Sequence, residues 1–143
     1  MIVRFKMIAS GYVFFIREGK ILLSKRKNTG YMDGWYSVPA GHIENNESLI
    51  AGTVREISEE TGVHLTEKQI RFACVMHRKE DDIRMDFFFV VDDWEGEPVN
   101  AEPEKCDELR WFPIGLLPEN TIPYIRIAIE NLQKKIFYSE VGW

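Results

Sequence analysis

Three glutamates, Glu56, Glu59 and Glu60, stand at spacing i, i+3, i+4 directly after Arg55. On an α-helix that spacing brings their side chains to one face. Like charges repel there, so the cluster serves no need of folding. Hard divalent cations take oxygen ligands, and Mg²⁺ is usually held by one or two carboxylates together with the phosphates of a substrate. The chemistry such a face suits is hydrolysis of a diphosphate bond. That reaction needs a positioned water and neutralisation of the charge that builds on phosphate oxygens. A bound Mg²⁺ supplies both, by polarising the phosphoryl group and lowering the pKa of its water. A bare E-x-x-E-E can equally be a solvated acidic face, so the surrounding residues decide between the two.

Those residues form a spaced pattern from Gly41 to Val63, GHIENNESLIAGTVREISEETGV. A helix beginning near Glu47 gathers Leu49, Ile50, Val54 and Ile57 towards one side, and Gly62 ends it in a left-handed cap. Gly41, Glu47, Arg55, Glu56, Ile57, Glu59, Glu60, Gly62 and Val63 fill every fixed position of G-x5-E-x7-R-E-[ILV]-x-E-E-x-G-[ILV]. The stretch resembles the Nudix box. The segment before it, Trp35 to Gly41, is similar to the W-x-x-P-G-G that precedes the helix in many members. Two departures are present: Tyr36 stands at the aromatic position, and Ala40 replaces the commoner glycine while keeping its carbonyl.

The resemblance implies an α/β/α sandwich with a mixed β-sheet between helices, built as one domain over residues 1–143. It implies Mg²⁺ as cofactor, with Mn²⁺ as a substitute. The expected metal ligands are Glu56, Glu60 and Glu59, the Ala40 carbonyl, and a loop glutamate outside the box. For that last role Glu102 is the first choice and Glu104 the second. Glu56 or Glu59 is expected in catalysis, with Arg55 orienting a catalytic glutamate by a charge-assisted hydrogen bond. Glu47 is expected to be structural, its charge facing the positive end of the helix dipole.

The rest of the chain supplies the scaffold. Its 143 residues suffice for one domain, and 45% hydrophobic and 29% charged residues are ordinary for a globular protein. A net charge of −5 argues against a nucleic-acid polymer as partner but not against a nucleotide, for which a metal brings the positive charge. Cys74 and Cys106 are too few for a disulfide framework or a zinc site, and no apolar run has bilayer length. A reduced, cytoplasmic protein with no membrane partner is the expectation.

In chain order, Tyr12–Ile16 and Ile21–Arg26 pattern as two strands joined by a hairpin at Arg17-Glu18-Gly19-Lys20. The loop Asn28–Gly34 follows. Ile70 to Met76 and Met85 to Val91 pattern as an antiparallel pair around a charged loop, Arg78–Asp82. Pro98 and Pro103 keep Gly96–Lys105 a loop, and Leu109, Trp111 and Phe112 restart a short strand. Pro123–Ile136 carries helical periodicity and should pack opposite the box helix. Phe137–Trp143 is an aromatic tail suited to packing on the body or to a homodimer contact. Arg26 at a strand end, His42 after the box glycine, and His77 and Arg78 at the end of their strand are the candidate substrate contacts.

Substrate choice in this family lies outside the box. The marks of many ADP-ribose, dinucleoside polyphosphate, coenzyme A and NADH enzymes are missing, and Glu102-Pro103-Glu104-Lys105-Cys106 followed by a Trp-Phe strand is similar to the MutT-like subgroup. The resemblance therefore implies hydrolysis of a (d)NTP, including an oxidised one, to the monophosphate and pyrophosphate. The alternatives are another nucleotide derivative such as ADP-ribose, a sensing module without turnover, and an RNA 5′-end pyrophosphohydrolase. The last would need a basic groove that one run, Lys25-Arg26-Lys27, barely begins.

Overall fold

A computed structural model describes residues 2–143. Its centre is β1 (Ile8–Arg17), whose residues Gly11–Phe15 are buried. Alternation sends neighbouring side chains to opposite faces, so the strand feeds two cores. Tyr12 and Phe14 enter one core, and Val13 and Phe15 enter the other. β1 turns through Glu18 (φ 51°) and Gly19 (φ 74°) into β2 (Lys20–Arg26). Two successive positive φ values match the twist of the strands, as expected from the sequence.

β3 (Tyr36–Ser37) lies on β2, and β4 (Ala40–His42) pairs antiparallel with the start of β1, setting His42 opposite Ser10. Beyond β4 runs α1 (Leu49–Thr61). It starts two residues later than expected, because Ser48 is the cap and its Oγ accepts from the Ala51 N–H at 3.1 Å. Gly62 at φ 75° ends it, as its lack of a side chain allows. Ile57 is fully buried beneath the helix, with Leu49, Ile50 and Val54 packed against the same core. Burying one such side chain contributes about 1.5–3 kcal/mol.

β5 (Arg71–Lys79) and β6 (Ile83–Val91) form the expected antiparallel pair, and β6 lies parallel to β1. The charged loop is shorter than the sequence suggested, since Arg78 and Lys79 belong to β5. β7 (Cys106–Pro113) pairs with β2 along its whole length and starts three residues before Leu109. α2 (Pro123–Lys134) begins with proline in its first turn and ends two residues short of Ile136, capped by Lys135 at φ 58°. Its Ile125, Ala128 and Ile129 are buried in the core that receives Tyr12 and Phe14. The aromatic tail packs on the body: β8 (Tyr138–Val141) adds parallel to the outer edge of β5.

The sheet order is β3-β2-β1-β6-β5-β8, with β4 on β1 and β7 on β2. It is a mixed sheet with α1 on one face and α2 on the other, the α/β/α arrangement expected. Among the described residues both cysteines are free, and no helix is long and apolar enough to cross a membrane.

Candidate active site

The C-terminal half of α1, β4, the end of β2 and the loop after Gly96 enclose a cleft of about 860 Å³, the size of a small-molecule site. Glu56, Glu59 and Glu60 all line it. They reach it together because their spacing places them on one side of a helix whose other side is buried under Ile57.

Arg55 is the hub of the acidic face. Its Nε and Nη2 donate to the two carboxylate oxygens of Glu47 at 3.0 and 2.8 Å, a bidentate pair. Its Nη1 donates to Glu56 at 3.0 Å and reaches Glu59 at 3.3 Å, and Nη2 also donates to the His42 carbonyl. Glu47 thus fixes the arginine that in turn holds two cleft carboxylates. Glu47 stands just before the cap at the start of the helix, as expected, and its carboxylate has Arg55 as a partner that the sequence did not disclose. The Arg55 guanidinium and the Glu44 N–H hold its pKa down to about 2.

Glu60 and Glu56 are pushed the opposite way. Burial, followed by the charges of Glu56 and Glu102, raises the Glu60 pKa to about 8, although the Ala40 N–H donates to it at 3.2 Å. Burial raises Glu56 too, and the neighbouring Glu59 and Glu102 add to this against the pull of Arg55. Clustered carboxylates that burial pushes towards neutrality are a set whose ionised form a cation would restore. Among the described residues no three His, Cys, Asp or Glu side chains are gathered closely enough to hold a metal by themselves. The cleft donors are carboxylate oxygens, the ligand type of a hard divalent cation that keeps waters and shares substrate phosphates.

Glu102 lines the cleft, whereas Glu104 does not. Its loop is docked on the end of α1: the Val99 N–H donates to the Thr61 carbonyl at 2.9 Å and the Ala101 N–H to the Glu60 carbonyl at 3.1 Å. The loop so takes up carbonyls that a helix end leaves without partners. Asn100 ties its two arms, donating to the Cys106 carbonyl at 2.7 Å and accepting from the Glu102 N–H at 3.3 Å.

Of the candidate substrate contacts, Arg26, His42 and Arg78 line the cleft. Arg26 donates through Nε to the Tyr31 carbonyl at 2.7 Å, which pins the loop after β2. His42 accepts from Arg84 at 3.2 Å through Nε2, and burial followed by the Arg84 charge lowers its pKa. Arg78 is no exposed strand end. It is 2% exposed, its Nε donates to the fully buried Asp86 at 2.6 Å, and its guanidinium lies 3.7 Å from the centre of the Tyr124 ring. His77 needs correction as a cleft residue: strand alternation turns it to the opposite face, where its ring rests against Trp143 at 4.6 Å.

Asp86, Tyr12, Tyr124 and Arg84 escaped the sequence reading. The Tyr12 hydroxyl donates to Asp86 at 2.9 Å and lies 3.1 Å from the Tyr124 hydroxyl. One signal was available: Asp86 is a lone acid inside the apolar run Met85–Val91, and an acid buried there needs a cationic partner.

The NUDIX domain family model matches residues 6–132. The chain belongs to the Nudix family. Among Nudix relatives, it is 27% identical to an 8-oxo-dGTP diphosphatase of Buchnera aphidicola subsp. Schizaphis graminum, covering 86% of this chain and 91% of that protein. It is 30% identical to an ADP-ribose pyrophosphatase of Methanocaldococcus jannaschii over 83% and 69% of the two chains. It is 29% identical to the uncharacterized Nudix hydrolase YvcI of Bacillus subtilis over 68% of this chain, and spans 61% of that relative's length. The crystal structure of a MutT NUDIX hydrolase from Burkholderia pseudomallei superposes with a TM-score of 0.80 at 27% identity, covering 87% of this chain and 97% of that one. The protein is thus a Nudix hydrolase for nucleotide derivatives, a family that generally uses divalent metal ions.

Proposed function

We propose that this Nudix hydrolase cleaves a (d)NTP, including an oxidised one, to the nucleoside monophosphate and pyrophosphate. The observation that carries the reading is the convergence of Glu56, Glu59, Glu60 and Glu102 on one cleft whose opposite wall carries arginines and tyrosines. One end suits a charged polyphosphate with its cation, and the other suits a planar, polar group. Similarity to an 8-oxo-dGTP diphosphatase over most of both chains supports the same choice.

Glu56, Glu59, Glu60, Glu102 and the Ala40 carbonyl would hold Mg²⁺. When bound, the ion neutralises phosphate charge and acidifies water. The chain's own residues do the rest. Arg55 keeps Glu56 and Glu59 oriented towards the cleft and is itself held by Glu47. Glu56 or Glu59, whichever is left ionised beside the attacking water, takes its proton as general base. Arg26 reaches the cleft from the end of β2 and balances charge on the phosphates.

The test is a panel of common and oxidised (d)NTPs, ADP-ribose, a dinucleoside polyphosphate and 5′-triphosphate RNA with Mg²⁺, with products resolved by chromatography. Monophosphate plus pyrophosphate from a triphosphate supports the reading. Preferential cleavage of ADP-ribose, for which a relative is named, keeps the mechanism and replaces the substrate. Tight binding without turnover of any compound would make the protein a sensor.

A further inference from the structure

Two polar atoms in the wall of the cleft are buried and lack a hydrogen-bond partner among the described residues: Ser10 Oγ and Arg78 Nη1. Both residues are 2% exposed and both line the cleft. They flank the same carboxylate. Ser10 lies opposite Asp86 in the β1–β6 register, and Arg78 binds Asp86 through Nε. A buried polar group without a partner costs free energy that a ligand atom can recover.

The Arg78 guanidinium cannot turn away to find another partner. Asp86 holds one edge at 2.6 Å, and Tyr124 covers a face at 3.7 Å. Asp86 is fixed in turn by the Tyr12 hydroxyl, which also meets that of Tyr124. Glu80 lies 2.9 Å from Nη1 but lacks the alignment of a hydrogen bond. The donor is thus preorganised and directional.

Its charge is already spent. Arg78 and Arg84 face Asp86, Glu80 and Asp82, and both arginines are ion-paired there. The patch carries more carboxylates than cations, so a phosphate would meet net repulsion. A neutral planar group with an acceptor oxygen meets none, and Tyr31 and Tyr124 supply aromatic surface beside it. We propose that Ser10 and Arg78 form the subsite that reads the nucleobase, and that it selects a base with a keto oxygen at purine C6 or pyrimidine C4 over one with an exocyclic amine at that position. Guanine O6 and uracil or thymine O4 offer an acceptor there; adenine and cytosine offer an amino donor, which would oppose the donor of Arg78. The Ser10 hydroxyl, free to rotate, takes a neighbouring edge atom.

The inference rests on the nucleotide reading above but not on turnover. Isothermal titration calorimetry of the full-length protein with Mg²⁺ would compare guanosine, uridine, adenosine and cytidine 5′-monophosphates and pyrophosphate. The keto pair should bind at least about fivefold more tightly than the amino pair, the low end for one base-edge mismatch. Ser10→Ala should weaken the keto pair about 3- to 10-fold, the loss of one neutral hydrogen bond, and leave pyrophosphate affinity as it was. Arg78→Lys keeps the charge beside Asp86 but removes the fork, and should erase the keto preference. A melting curve like the parent's shows each variant folded, and Ser10→Ala, which deletes an unpartnered hydroxyl, carries the test should Arg78→Lys unfold. Equal binding of all four nucleotides would overturn the subsite even where hydrolysis is robust. So would weakened pyrophosphate binding in Ser10→Ala, which would put a phosphate at this wall. A keto preference that Ser10→Ala reduces would uphold it even in a protein that hydrolyses nothing.

Discussion

Gly41 faces the side chain of Glu56 so closely that a β-carbon there would lie 2.1 Å from both Cγ and Cδ and 2.4 Å from Oε2. Its φ is not positive, so alanine suits the backbone and the clash falls wholly on the glutamate. To regain an ordinary contact of 3.4 Å the carboxyl must move by at least about 1.3 Å, and a misplacement of about 1 Å in an active site can cost about a hundredfold. The displaced atoms, Cγ onwards, all belong to one flexible side chain, and alanine for glycine also stabilises by about 0.4–1 kcal/mol through the lower entropy of the unfolded chain. Gly41→Ala should therefore melt within a few degrees of the parent while losing about a hundredfold in kcat with Mg²⁺. Glu56→Gln, nearly isosteric, should lose at least as much. The deciding measurement is the double variant. If Gly41→Ala acts by displacing Glu56, adding it to Glu56→Gln should change kcat little, because the group it displaces is already disabled. Parental turnover in Gly41→Ala, or losses that multiply in the double variant, would refute the reasoning.

Three further outcomes are expected. Glu102→Gln should lower kcat by about a hundredfold and Glu104→Gln by less than about twofold, since the former alone lines the cleft; comparable losses in steady-state assays would sink the choice. Glu60 has a folded-state pKa near 8 against an ordinary 4.5. Its contribution to stability is complete below pH 4.5 and is lost as pH rises towards 8. Without divalent cation, Glu60→Gln should thus melt higher than the parent at pH 8 while lacking activity, and Mg²⁺ should raise the parent's melting temperature and not the variant's. Glu47 is shifted the other way, to about 2, so its contribution is present above 4.5 and disappears as pH falls to 2. Glu47→Gln should flatten the parent's acid transition in that window and lower kcat by freeing Arg55, as pH-dependent melting and steady-state kinetics would register.

What the sequence disclosed was local. The hairpin at Glu18-Gly19, the Gly62 cap and the side-by-side glutamates follow from turn chemistry and helical period within a few residues. The place of Glu102 was legible too, because prolines confine it to a loop near the strand that follows. The base-facing wall was not. Its bonds join Tyr12 to Asp86 and Tyr124 across 74 and 112 residues, and no period in the chain announces such a meeting. The partners of Arg78 and Glu47 were missed for one reason: a charged side chain at an element's end looks solvated or dipole-bound until its partner from elsewhere is seen.

The docking of the loop on α1 makes chain length itself a functional variable. Between Trp94 and Glu97 the loop passes through Gly96 at φ 85° with open space around it. A residue inserted there would extend a bulge and leave Val99 and Ala101 on their helix carbonyls. One inserted between Ala101 and Glu102 would advance the carboxylate by up to about 3.5 Å, past the cleft it shares with Glu60. Two insertions of the same size, a few residues apart, should separate a working hydrolase from a folded and inactive one.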